Sequence, residues 1–359
     1  MPSIVRRTAS SRFYSRRLVV GAAMAIAVLP VPHAAFAQEA VEAFYRGRNI
    51  DLNIGFSVGG TYDLYGRLVA RHIGKHIPGQ PTIVPKQMVG AGTRLVANHI
   101  FAVAPRDGTQ LGVADQALPL QQAMGEAGIK FDARRLNWIG NPIADNNTMA
   151  AWHTAGIGSI EQAKQQAFTV GANGITAAAQ YAQAMNRLIG TKFTIITGYP
   201  GGTEINLAME RGEVAIRGQN SWSSWKANHR EWLDQKKIVI LVQMGLEKNR
   251  ELPHVPLLID LAPDNEAREV LKLLSAPTAI GRPIFTTPDI PPARLSALRA
   301  AFDSTMKDPD FIADAARLGL DLNPVRGVDV QQIVNDLVDA PPNVVAKLTS
   351  ILAELHKGK

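Results

Sequence analysis

Val58-Gly59-Gly60-Thr61-Tyr62-Asp63 and Pro200-Gly201-Gly202-Thr203-Glu204-Ile205 are the two stretches from which the fold of this chain can be read. Each follows a short apolar run, Ile50 to Phe56 in the first case and Phe193 to Ile196 in the second, and each opens onto a helical pattern. A strand, a glycine turn and a helix start leave several backbone N–H groups without intrahelical partners. That arrangement suits an anion at the positive end of the helix dipole. Gly59 and Gly201 stand 142 residues apart, which points to two similar lobes facing one cleft.

The text around these loops alternates strand and helix signals. Ile50 to Gly55, Thr82 to Pro85 and Gln110 to Ala114 read as strands, separated by helices at Tyr62 to Ile77 and Arg94 to Val103. This is the rhythm of a parallel, doubly wound sheet. The pattern restarts between Trp138 and Met244, with strands at Met149 to Trp152, Phe168 to Gly171, Val214 to Gly218 and Ile238 to Gln243. Helices at Ile160 to Gln166, at Ala177 to Ile189 and from the second glycine loop to Arg211 complete a second α/β lobe. Further on, a strand is expected near Ala279 to Phe285, then helices at Ala293 to Met306, Pro309 to Leu318 and Val328 to Leu352 that return to the first lobe. The boundaries that follow are 1–37 for a leader, 38–142 with 262–359 for one lobe, and 143–261 for the other.

The N-terminus has the form of an export signal. Arg6, Arg7, Arg12, Arg16 and Arg17 precede the apolar stretch Leu18 to Val31, and Ala35-Phe36-Ala37 offers a small-residue cleavage site. The pair Arg16-Arg17 leaves the twin-arginine route open beside the general secretory one. Removing residues 1–37 takes away five Arg and no acid, so the formal charge falls from +7 to +2. The basic character belongs to the leader, and no Lys/Arg run remains to track a nucleic acid. No later stretch approaches the roughly 20 apolar residues of a membrane span. The chain has no cysteine, which excludes disulfides, thiolate nucleophiles, thiolate metal sites and an N-terminal lipid anchor on Cys. A soluble protein of the bacterial periplasm fits these features.

Gly55-Phe56-Ser57-Val58-Gly59-Gly60-Thr61-Tyr62-Asp63, Gly90-Ala91-Gly92, Ala104-Pro105-Arg106-Asp107-Gly108, Tyr199-Pro200-Gly201-Gly202 and Leu252-Pro253-His254-Val255-Pro256 occur in an order that resembles the solute-binding receptors of tripartite tricarboxylate transporters, also called Bug receptors. The resemblance covers about residues 45 to 350. It implies a two-lobed, type II-like periplasmic-binding-protein fold that closes on a small organic acid and delivers it to a membrane permease, as a monomer without enzymatic turnover, cofactor or metal. It also implies that carboxylates are held by loop N–H groups and waters, without a dedicated arginine clamp. Carried over by position, the ligand contacts are Phe56, Ser57, Gly59, Gly60, Thr61, Asp63, Ala91 and Gly92 from one lobe. The other lobe contributes the stretch Asn173 to Thr176, the loop Pro200, Gly201, Gly202 and Thr203, and Asn220. The sequence departs from the family where Ser57-Val58 precede the first glycine pair, at Tyr62, and at Thr93-Arg94, so the ligand is not transferred.

Several residues support other readings. Gly55-Phe56-Ser57-Val58-Gly59 matches the G-x-S-x-G nucleophile elbow, which would make the chain an exported serine hydrolase acting through Ser57. No Asp and His pair stands out downstream. A ligand-binding sensor on the same fold is the other alternative. Asp63, in a first helical turn, suits capping better than direct ligand contact, Glu204 is ambiguous in the same way, and an ammonium on the ligand would suit them too. His72 and His76 have metal-pair spacing but lack the intervening Glu of H-E-x-x-H. Trp222 either stacks on a ligand or packs the seam between lobes, whereas Trp225 reads as packing.

Overall fold

The computed structural model describes residues 33–174 and 176–356. Most of the expected leader, residues 1–32, therefore lies outside the described residues. In chain order the first part contains α1 (His33–Tyr45), β1 (Asn49–Ile54), α2 (Thr61–Ile73), β2 (Thr82–Gln87), α3 (Arg94–Ala102), β3 (Gln110–Val113), α4 (Leu118–Ala123) and β4 (Asn137–Asn141). The middle part contains β5 (Asn147–Trp152), α5 (Ile160–Gln165), β6 (Phe168–Gly171), α6 (Ala177–Leu188), β7 (Phe193–Ile196), α7 (Gly202–Glu210), β8 (Ile216–Ser221), α8 (Trp222–Asn228), α9 (Arg230–Asp234) and β9 (Ile238–Met244). The last part runs through α10 (Asn265–Ser275), α11 (Pro277–Ile280), β10 (Ile284–Thr286), α12 (Pro292–Thr305), α13 (Pro309–Arg317), β11 (Val325–Arg326), α14 (Gly327–Val338) and α15 (Pro342–Ala353).

These strands make two sheets of the same design. One has the order β2-β1-β3-β10-β4-β11 and the other β7-β6-β8-β5-β9. In the first, β1 runs parallel to β2 and β3, and β10 runs antiparallel to β3 and β4. In the second, β6 runs parallel to β7 and β8, and β5 runs antiparallel to β8 and β9. The buried positions Ile50, Leu52 and Ile54 of β1 show why the run is a strand, and α2 lays Leu68, Val69 and Ile73 against that side of the core. In both sheets the chain order reverses beside the first strand of the parallel set, at β1/β3 and at β6/β8. In open α/β sheets the crevice outside the carboxyl ends of such strands is where ligands bind.

Trp138, on the first-lobe side of the expected boundary at 142/143, lies in β4 of the first sheet, fully buried against Phe285. Three features differ from the sequence reading. The strand expected at Ala279 to Phe285 is the short helix α11 followed by β10, because Pro277 starts a helical turn and Gly281 ends it at φ 64°. The single helix expected from Val328 to Leu352 is two helices, since Pro341 and Pro342 cannot donate to the preceding turn. Finally, only part of the tail rejoins the first sheet. Helices α12 and α14 pack on β4 and α13 packs on α2, whereas α15 packs on α10 and on α6 of the second sheet.

Gly281 marks the entry of β10 into the first sheet and tolerates no side chain. Its positive φ suits glycine, and a Cβ there would lie 2.0 Å from the Ile143 carbonyl oxygen. Gly281→Ala should therefore destabilise the protein by about 1–3 kcal/mol, read as a lower urea midpoint with an unchanged slope. An unaltered midpoint would show that this turn is not under the stated constraint.

Candidate functional site

Three helix starts converge on one cavity of about 490 Å³ between the two sheets. Thr61 opens α2, Thr93 caps α3 and Thr176 caps α6, and all three line it. None of these helices has a side-chain cap hydrogen bond at its start, so the first-turn N–H groups stay available to a ligand. Two larger open grooves, of about 900 and 730 Å³, lie around Trp222, Lys226 and Glu251. They take in neither the ends of β1 and β6 nor these helix starts, and the smaller cavity is the one at both switch points.

Of the residues expected from the sequence, the structure brings Phe56, Thr61, Gly92, Asn173, Thr176 and Asn220 to the cavity wall. Ile175, within the expected Asn173 to Thr176 stretch, lies outside the described residues. Ser57, Gly59, Gly60 and Ala91 sit in the same two loops, exposed and beyond the wall, and Pro200, Gly201, Gly202 and Thr203 form a separate lip at the start of α7. Asp63 is turned away from the cavity and 1% exposed. Its carboxylate accepts from the Gly59 N–H at 3.0 Å, from Arg67 Nε at 2.8 Å and from Gln87 Nε2 at 2.5 Å. It shapes the first glycine loop from behind.

The sequence readings that pointed elsewhere have structural accounts. Ser57 is exposed, and among the described residues no histidine hydrogen-bonds it, so the elbow lacks its base. His72 pairs with Asp314 at 3.0 Å and His76 with Asp308 at 2.7 Å, which uses both rings in joining α2 and its extension to α13. Trp225 is fully buried and donates to Thr148 Oγ1 at 2.9 Å. Trp222 faces the outer grooves and donates to Glu251. Arg94 reaches the cavity wall, but its guanidinium is bound to Glu126 at 3.0 Å and to the Ala91 carbonyl at 3.0 Å.

The groups that sequence reasoning missed are the most distinctive. Arg282, just before β10, is 5% exposed and lines the cavity. It donates through Nη2 to Ser221 Oγ of β8 at 2.8 Å and lies over the rings of Tyr62 and Tyr65 at 5.5 and 5.2 Å. Its Nε has no partner, and neither has Nδ2 of Asn220, which is 6% exposed. Both are donors without acceptors at the wall of a cavity, where an unmade bond costs about 1–3 kcal/mol. Asn220 Oδ1 meanwhile accepts from Arg217, whose guanidinium packs against Gly202 behind the second glycine loop. Burial without a carboxylate partner lowers the Arg217 pKa to about 10.

Asp115 supplies the opposite sign. It follows β3, lines the cavity, and accepts from the Ala117 N–H at 2.7 Å. Its own N–H is held by Thr93 Oγ1 at 3.0 Å. Thr93 does this at φ 67°, a costly conformation for a β-branched residue and one that clusters at functional sites. Burial raises the Asp115 pKa above the carboxylate range, offset only by that one backbone N–H. Asp145 is raised for the same reason, but there the charge of Arg282 opposes the burial. Tyr62, stacked on Phe56 with ring centroids 4.0 Å apart, stands between the Asp115 and Arg282 loops: its hydroxyl donates to the Gly281 carbonyl at 3.3 Å and accepts from the Gln116 N–H at 3.4 Å.

The raised pKa fixes the sign of a pH effect. An acid whose folded pKa lies above its unfolded value favours folding while protonated, and that contribution is lost as pH rises through the folded value. Asp115→Asn keeps the Oδ1 acceptor for Ala117 and removes the charge. In the ligand-free protein its Tm should exceed that of the wild type at about pH 7, and the difference should shrink on acidification towards the ordinary carboxylate pKa. A variant less stable than wild type at neutral pH would contradict this reading.

A scan against protein-family profiles finds no match. One curated relative, a UPF0065 protein from Cupriavidus necator, is 25% identical over 350 residues, covering 93% of this chain and 97% of that protein. A crystal structure of a TctC solute-binding protein from Polaromonas superposes with a TM-score of 0.62 at 18% identity, over 86% of this chain and 99% of that one. An R. palustris protein solved with adipate gives a TM-score of 0.62 at 17% identity, over 85% of this chain and 98% of that one. The resemblance carried by the glycine loops extends to the whole architecture: the chain has the two-lobed fold of the TctC-type solute-binding proteins.

Proposed function

We propose that this protein is an exported receptor that captures a small organic acid in the cleft between its sheets, closes on it, and presents it to the membrane permease of a tripartite tricarboxylate-type transporter. The observation that carries this reading is the meeting of three uncapped helix starts with two buried, unpartnered donors, Asn220 Nδ2 and Arg282 Nε, in one cavity. Such a set attracts a carboxylate and lacks the nucleophile and base that turnover would need. The adipate held by a protein of this fold is a small organic acid of the class proposed here. In the same reading residues 1–37 are the export leader, used by the secretory or twin-arginine route, and the released chain works as a monomer in the periplasm. Residues 38–142 with much of 262–359 form one lobe and 143–261 the other, with α10 and α15 laid against the second. Ligand stabilises the closed form by binding it more tightly than the open one, and the permease reads that form.

A thermal-shift series on residues 38–359 against di- and tricarboxylates checks the reading. An acid present at 100 times its Kd adds about 2.7 kcal/mol to stability, and product analysis of each hit should find the acid unchanged. Asn220→Asp retains the acceptor for Arg217 and replaces the free donor by a carboxylate oxygen. It should weaken binding by about tenfold or more, equivalent to about 1.4 kcal/mol or more. No shift with any acid, or undiminished affinity in the variant, would contradict the proposed site.

A further inference from the structure

The cavity has acceptors to match its donors, and two of them have no basic side chain beside them among the described residues. Three acids line it: Asp115, Glu126 and Asp145. Glu126 is bound by Arg94, and Asp145 accepts from the Ser223 N–H at 2.9 Å with the charge of Arg282 to offset its burial. Asp115 differs. Among the described residues no Lys, Arg or His nitrogen lies within 4.0 Å of its carboxylate, and its single bond from Ala117 uses Oδ1. Six residues on, Gln121 also lines the cavity, and its Oε1 is buried without a hydrogen-bond donor. Two acceptors thus wait on the β3–α4 side, and two donors, Asn220 Nδ2 and Arg282 Nε, wait on the side of β8 and β10. A plain dicarboxylate would satisfy the donors and place a second anion near Asp115. A ligand with a carboxylate at one end and an ammonium at the other satisfies both.

We infer that the ligand is a zwitterionic amino acid, its carboxylate taken by Arg282, Asn220 and the helix starts, its ammonium by the Asp115 carboxylate and Gln121 Oε1. This rests on the receptor reading and narrows its substrate class. The strain held at Thr93 then has a use, since its hydroxyl fixes the backbone of Asp115 at the cavity wall. Burial of an unpaired carboxylate in the empty protein likewise becomes a selective device, relieved by a cation that the ligand brings and withheld from acids that bring none.

Calorimetry with matched acids tests it: succinate against aspartate, glutarate against glutamate, and adipate against 2-aminoadipate, each titrated into residues 38–359 and into the Asp115→Asn variant. In the wild type at least one aminated acid should bind tenfold or more tightly than its unaminated partner, and in Asp115→Asn that preference should fall towards unity. Should Asp115→Asn fail to fold, Asp115→Ser, which keeps a small acceptor, takes its place, and the wild-type preference is decisive in either case. Plain acids that bind as tightly as, or more tightly than, every aminated partner would overturn the inference and leave the receptor reading standing. A preference that survives removal of the Asp115 charge in a folded variant would overturn the assignment to Asp115. Absence of binding by all six acids would overturn the inference together with the carboxylate-receptor reading beneath it.

Discussion

The guanidinium of Arg282 is the charge around which the two halves of this protein are arranged. Taking a cation out of water is tolerable only with hydrogen bonds and compensating charge in place. Arg282 finds them across the seam: its Nη2 donates to Ser221 Oγ at the end of β8, Tyr62 and Tyr65 of α2 present ring faces to the guanidinium, and its backbone N–H is fixed separately by Asn141 Oδ1 at the end of β4. The side chain thereby joins β8 to α2 while its backbone is tied to β4, and the Nε it leaves free marks the cavity. The carboxylates nearby are held at raised pKa by burial, and only Asp145 is compensated by this cation.

Around that seam the chain is tied unevenly. Helix α15 and helix α10 pack on α6 of the second sheet, and α14 packs on β4 and α4 of the first. The three tail helices therefore bridge the lobes through apolar contact, and the largest core cluster runs across both. On the outer side, Lys226 of α8 meets Asp321 at 2.6 Å, and Tyr65 donates to the Asp321 carbonyl at 2.7 Å. A half-exposed ion pair of this kind contributes about 0–1 kcal/mol. It can be remade at small cost as the lobes move, so differential binding of ligand can govern the closed population.

Much of the architecture was legible because it is local. The strands at Ile50, Phe168 and Ile238 and the helices at Tyr62, Ala177 and Pro309 announce themselves by apolar spacing and by glycine or proline punctuation. The break at Pro341-Pro342 was also written in the sequence, but the continuous apolar spacing from Val328 to Leu352 outweighed it. The packing of α15 on α6 was not legible, since an amphipathic helix shows that it has a core face and gives no address for it. The site divides along the same line. Phe56, Thr61, Gly92 and Asn220 lie at strand ends or helix starts that spacing identifies. Arg282, Asp115 and Gln121 carry no motif, and their meaning arises from contacts far along the chain, such as those of Arg282 with Ser221 and with Asn141, 61 and 141 residues away, or from a bond that no neighbour makes. Asp63 shows the converse. The family resemblance placed it among the ligand contacts while its first-turn position favoured a capping role, and its three short contacts spend it on the loop.

The central claim, that ligand lies between the sheets and is held from both, is tested most directly by amide hydrogen exchange with and without the acid that gives the largest thermal shift. The account predicts simultaneous protection of the helix starts at Thr61, Thr93 and Thr176 and of the strand end at Asn220, segments that no single lobe contains. Protection confined to α8, α9 and α13 would place the ligand in the outer grooves and contradict it.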